Sequence, residues 1–151
     1  MRRYTFVVTL LSTTLGGCSY GYGVEAVAGG RGIMFVVAPN SPETPSCVRL
    51  IEVYSVRDKV TVWRDSVDYQ DDCANDFPVT FGERFKGRHE PDWPVIPARP
   101  LRRGVPYEVR TTTGAIGYGL GHFMIRDNGR IENMTISNSY AEPKPSSDMN
   151  I

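Results

Sequence analysis

Gly121-His-Phe-Met-Ile-Arg126-Asp-Asn-Gly-Arg130-Ile-Glu-Asn-Met-Thr-Ile136 is the stretch whose reading decides the fold class. Asn128-Gly129 is a strong two-residue hairpin signal, because a type I′ turn needs positive φ at both central positions. Gly121 to Arg126 and Ile131 to Ile136 then read as antiparallel partners. With Asp127 opposite Arg130, Phe123 falls opposite Met134. That register gives one core face of Gly121, Phe123, Ile125, Glu132, Met134 and Ile136. His122, Met124, Arg126, Ile131, Asn133 and Thr135 face water.

Working outward, the same period continues upstream. Tyr107, Val109 and Thr111 alternate against Glu108, Arg110 and Thr112, and Phe77, Val79 and Phe81 alternate before Gly82. Ile33 to Ala38, Cys47 to Val56 and Val60 to Arg64 are short apolar runs. The second shifts phase between Leu50 and Ile51, which implies a bulge or burial on both faces. Helical periodicity is absent from every longer stretch, and 11 prolines with 15 glycines punctuate 151 residues. The expectation is all-β: a small antiparallel β-sandwich of about seven strands, over residues 33–138. Residues 19–32 are glycine-rich and read as a flexible spacer. Ser139 to Ile151, with Pro143 and Pro145, reads as a disordered tail over 139–151.

The other end of the chain speaks to location. Arg2 and Arg3 precede an apolar run from Phe6 to Leu11, much shorter than the roughly 20 residues a spanning helix needs. Residues 1–17 therefore read as a secretory signal peptide. Leu15-Gly16-Gly17-Cys18 resembles the lipobox of bacterial lipoprotein precursors. The resemblance implies cleavage before Cys18, a diacylglycerol thioether on its sulfur and a further acyl chain, such as palmitate, on its amino group. Several acyl chains make attachment effectively permanent where one does not. Ser19 after that cysteine resembles the outer-membrane sorting pattern, so the expected address is the periplasmic face of the outer membrane. Residues 18–32 become the acylated N-terminus and tether. Downstream, no apolar run is long enough to span a membrane, and the domain is expected to be soluble on its tether.

With Cys18 assigned to lipid, Cys47 and Cys73 are left as an even pair in an exported chain, and an oxidising compartment favours a disulfide between them. The alternative is a pair of thiols free or holding a metal, for which CxxC spacing and neighbouring histidines are lacking. The 17 basic and 17 acidic residues balance, which gives no reason to expect nucleic acid.

Four constellations bear on chemistry. His89 lies in the charged loop Lys86-Gly-Arg-His-Glu-Pro-Asp92, and His122 lies on the polar face of a strand; with no nucleophile-elbow spacing nearby, neither is expected to be catalytic. Asp65, Asp68, Asp71, Asp72, Asn75 and Asp76 could offer oxygen ligands to calcium, but the EF-hand spacing is absent and an exposed acidic loop accounts for them. Gly114-Ala-Ile-Gly117-Tyr-Gly119-Leu-Gly121 lacks the helix that a phosphate-cradling loop needs, and reads as a flexible inter-strand loop. Arg84, Lys86, Arg88, Arg99, Arg102 and Arg103 flank Trp93, and could form a basic-aromatic patch or simply belong to solvated loops. No catalytic residue, cofactor or metal site is expected.

Ile96-Pro-Ala-Arg-Pro-Leu101-Arg-Arg-Gly104-Val-Pro-Tyr107-Glu-Val109-Arg resembles the part of fibronectin type III and immunoglobulin-like sandwiches in which a tyrosine corner ties a connection to the sheet. The resemblance implies that role for Tyr107 and a buried position for Trp63. The Cys47–Cys73 spacing departs from the inter-sheet disulfide of antibody domains, so a transthyretin-like sandwich or a small barrel stays open. The function expected is non-enzymatic: a membrane-anchored envelope lipoprotein that binds an envelope protein or peptidoglycan. The alternative is a periplasmic inhibitor or immunity protein against a lytic enzyme or toxin.

Overall fold

Eight strands and no helix run through residues 18–135, the part of the chain that the computed structural model describes. They are β1 (Tyr20–Gly29), β2 (Gly32–Val37), β3 (Leu50–Ser55), β4 (Val60–Ser66), β5 (Val79–Thr80), β6 (Pro106–Thr112), β7 (Gly117–Ile125) and β8 (Ile131–Asn133). The expected signal peptide, residues 1–17, and tail, residues 139–151, lie outside the described residues.

The all-β expectation holds, but the architecture is one curled, mixed sheet. Its order is β4-β3-β6-β7-β1-β2-β5, with β8 beside β7. Every pair is antiparallel except β1 with β7, which is parallel. The cause lies in β1, which changes partner along its length. Tyr20 to Gly23 pair with Gly117 to Leu120 of β7, whereas Val24 to Gly29 pair with β2. The strand leaves β7 at a close crossing, where a Cβ on Gly121 would stand 2.0 Å from the Val24 carbonyl oxygen. Only glycine fits there. Beyond it, β1 carries β2 and β5 over the inner face of β4-β3-β6-β7. Phe35 of β2 stacks on Trp63 of β4 at 6.2 Å and meets Phe123 of β7 edge-on at 5.7 Å. Those rings, with Ile51, Val53, Tyr107 and Val109, form the buried core.

Residues 18–32 are thus no flexible tether. Tyr22, Val24 and Ala26 are buried at alternate positions of β1. The glycine composition misleads because the glycines work in register with tyrosines across the parallel pair. A Cβ on Gly119 would meet the Tyr22 ring at 2.3 Å, and one on Gly117 would meet the Tyr20 hydroxyl at 2.7 Å. The rings lie over bare backbone, as aromatic side chains do when they cover strand glycines. Tyr22 also hydrogen-bonds Thr111 Oγ1 at 2.7 Å, and burial pushes its phenol up to about 12. For the same reason Gly117 to Gly121 is strand, where an inter-strand loop was expected.

The final hairpin forms, but one residue out of the expected register. Ile125 pairs with Ile131, Met124 with Glu132 and Phe123 with Asn133. Arg126 N–H donates to Arg130 O, leaving a three-residue loop that ends on Gly129 at φ +81°. This is the longer hairpin turn closed by a left-handed glycine. A one-residue slip exchanges the faces of β8. Ile131 and Asn133 therefore share the inner side with Phe123 and Ile125, and Glu132 turns outward to pair with Arg126. Asn133 in this register clamps β1: its amide accepts from Ala26 N–H at 2.8 Å and donates to Ala26 O at 2.9 Å.

Three further details position the loops. Cys47 and Cys73 form a disulfide with Cα atoms 5.7 Å apart. Tyr107 is buried, and its hydroxyl accepts the Arg102 N–H at 2.9 Å, tying the incoming connection to β6. In β3, Ile51, Glu52 and Val53 are buried on both faces, and the register against β4 shifts between Val53 and Tyr54.

Candidate functional site

The outer face of β3, β4, β6 and β7 is built by register. One row across the sheet runs Arg64, Glu52, Arg110, Leu120, and the next runs Ser66, Leu50, Thr112, Tyr118. The curl of the sheet and the loops after β4 make this face concave. Tyr69 rises on one side and Glu90 to Trp93 on another, enclosing a groove of about 480 Å³ with Leu50, Arg110, Leu120 and Tyr118.

The groove's floor is fixed electrostatically. Arg64 Nε donates to Glu52 Oε2 at 2.6 Å, and both side chains are largely shielded. The same guanidinium lies 5.3 Å from the centre of the Trp93 ring, a cation–π contact. Ser66 Oγ donates to Trp93 O at 2.9 Å, and Arg64 and Ile96 exchange backbone bonds at 3.0 and 2.9 Å. Trp93 is held from beneath and from its backbone, yet its residue is 46% exposed. Tyr69, Ile116, Tyr118 and Leu120 are exposed as well. An apolar, aromatic surface kept open by a paired polar floor is suited to binding; a cluster of exposed apolar groups of this kind marks contact surfaces on folded domains.

The two histidines have separate partners. His89 Nδ1 stands 3.0 Å from Ser66 O and 3.3 Å from Asp65 Oδ1, while Nε2 accepts from Arg84. His122 Nε2 is 2.9 Å from Glu108 Oε2. The hydroxyl of Ser66, whose carbonyl meets His89, is turned to the Trp93 carbonyl. Asp65, expected in an exposed acidic loop, is fully buried instead. Its carboxylate accepts from Ser66 N–H at 2.9 Å and Phe85 N–H at 3.2 Å and pairs with Arg84 at 3.1 Å. Asp65 therefore ties loop 84–89 to the end of β4.

Asp68 and Asp71 also meet protein groups. Gln70 N–H, and then the Arg88 guanidinium, hold the Asp68 carboxyl below its usual value, and Asp71 accepts from Arg88 N–H. Among the described residues no three or more histidine, cysteine or acidic side chains are gathered as a metal group. The basic-aromatic patch, the lesser of the two readings of Arg84, Lys86, Arg88, Arg99, Arg102 and Arg103, does not assemble around Trp93. Arg84 pairs with Asp65, Arg88 with Asp68 and Arg102 with Asp58, and Arg103 bonds Asp127 O. The cation on Trp93 is Arg64, which is none of those six residues.

No family model, curated protein or solved structure matches this chain. The site must be read from its own geometry. Cys18 is exposed and stands two residues before β1, and Tyr20 N–H donates to Ile116 O at 2.8 Å. The expected lipid-attachment point thus lies at the same end of the sheet as Ile116, Tyr118 and the groove. Sequence reasoning missed the groove because its walls come from four strands and four connecting segments. The signal present was small: Tyr118 and Leu120 alternate with glycines whose opposite faces are taken up by the tyrosines of β1.

Proposed function

We propose that this chain is a lipid-anchored protein of the bacterial cell envelope, held through acyl chains on Cys18, that acts as a non-enzymatic binding or structural module. The groove walled by Trp93, Tyr69, Tyr118 and Leu120 is its contact surface. The observation that carries the reading is this exposed aromatic rim over a charge-paired floor, at the end of the sheet where Cys18 enters. The lipobox resemblance of Leu15-Gly16-Gly17-Cys18 supports the anchor, and the Cys47–Cys73 disulfide suits an oxidising compartment. The address that follows is the periplasmic face of the outer membrane, with an envelope component as partner.

The test has two arms in intact cells. A fatty-acid probe should label the protein, and Cys18→Ala should remove the label and leave the domain off the membrane. A photocrosslinking side chain placed at Leu120 should capture an envelope component, and one placed at the exposed Val56, at the far end of β3, should not. Label that persists in Cys18→Ala overturns the anchor; absence of any adduct from Leu120 overturns the groove as the contact surface.

A further inference from the structure

We propose that the partner of the groove face is the bilayer itself: the face rests on the membrane that holds Cys18, with Ile116, Tyr118, Leu120, Tyr69 and Trp93 seated at the lipid interface. The inference rests on the lipid-anchor reading above and adds to it the occupant of the contact surface. Its first support is the absence of slack. Ser19 alone separates Cys18 from β1, so the acylated residue lies within about 7 Å of Tyr20 at extended spacing. Tyr20 is fixed in turn to Ile116 by its backbone bond and to Gly117 by register. A long flexible spacer would let the domain stand away from the lipid. This attachment cannot, and it brings the Ile116 end of β7 to the bilayer wherever Cys18 is inserted.

The second support is the chemistry of that end. Ile116, Tyr118 and Tyr69 are each more than half exposed, at 53%, 51% and 56%. Trp93 and Leu120 continue the surface along the groove at 46% and 39%. Tyrosine and tryptophan favour the membrane–water interface, where the ring is apolar and the polar atom stays wet. Arg49, which donates to Asp68 O at 2.7 Å, and Arg110, which pairs with Glu108, line the same groove, and their remaining guanidinium N–H groups suit the phosphates of lipid headgroups. The opposite end of the sheet carries the Asp127–Arg130 turn and the Asp58–Arg102 and Arg126–Glu132 ion pairs. The groove end also carries the Asp68–Arg88 pair and Glu90, and the opposite end exposes Val56 and Val60; what sets the groove end apart is the exposed rings of Tyr69, Trp93 and Tyr118.

The test places a benzophenone amino acid at Tyr118 in the full-length, acylated protein in its own cells, with the same group at Val56 as the reference. The expected result is a phospholipid adduct from position 118, little or none from position 56, and loss of the lipid adduct in the Ile116→Asp/Leu120→Asp variant. These side chains are exposed, so the variant should keep its folded near-ultraviolet dichroism; the milder Ile116→Ser/Leu120→Ser pair serves if it does not. A protein, peptidoglycan or same-chain adduct at position 118 overturns the proposal, as does equal lipid capture from both positions. Fatty-acid labelling of the same samples separates the two readings. Labelled protein without a lipid adduct defeats this inference alone, and unlabelled protein defeats the anchor on which it rests.

Discussion

The two tryptophans of this chain lie on opposite faces of one sheet. Trp63 is 1% exposed, stacked on Phe35 and edge-on to Phe81, with its neighbours closing every side. Trp93 is 46% exposed, with a guanidinium beneath it and open space above. The same side chain is used once for cohesion and once for presentation. What differs is the partner chemistry: the inner face is rings and β-branched side chains, whereas the outer face sets charged pairs under apolar rims. The inner face therefore governs stability, and the outer face is available for contact at small cost to it.

That division is open to direct attack. Trp63→Ala should destabilise the domain by about 3–5 kcal/mol, read as a fall in the urea midpoint, because a large ring is removed from a closed core. If it costs no more than Trp93→Ala, the contrast between faces fails. Next, joint Cys47→Ala and Cys73→Ala should cost about 3 kcal/mol, the loop-closure value for a crosslink spanning a few dozen residues. The bridged residues are 26 apart in sequence.

Asn133→Ala should cost about 1–3 kcal/mol, because it strips both backbone partners from Ala26 where β1 leaves β7. A loss confined to Glu132→Ala would restore the register expected from the sequence. Trp93→Ala should remove only about 0.5–1 kcal/mol, the cation–π contact with Arg64, while lowering crosslinking from the groove. The smallest effect is a pH dependence. Tyr22 is neutral when folded, with its phenol raised from 10.0 to about 12. Its contribution is complete below pH about 10 and is lost as pH rises towards about 12. Denaturant midpoints should fall across that window, and Tyr22→Phe should flatten the fall.

The alternating segments were legible because a half-buried strand writes period two into its own sequence. Tyr107, Val109 and Thr111 are all buried, as their alternation requires, and Gly121, Phe123 and Ile125 share the inner side of β7. The segments misread are those whose meaning depends on a distant partner. Tyr20 to Gly23 look like a loose spacer until Gly117 to Leu120 lie beside them. Asp65 looks like one more loop carboxylate until Phe85 N–H and Arg84 arrive from twenty residues on. Asn128-Gly129 announced a hairpin, but the choice between two loop lengths was decided by Ile131 packing against the core and Asn133 capping β1.

By itself, then, the sequence determined the fold class, most of the strands and the cysteine pair, because periodicity, turn residues and cysteine count are local properties. It also carries the lipobox resemblance on which the expected address rests. The tertiary structure decided the parallel β1–β7 pairing, the face of every residue in β8 and the existence of the groove. Each of these depends on which strands meet and in what register, and a single residue of slip exchanges inside for outside.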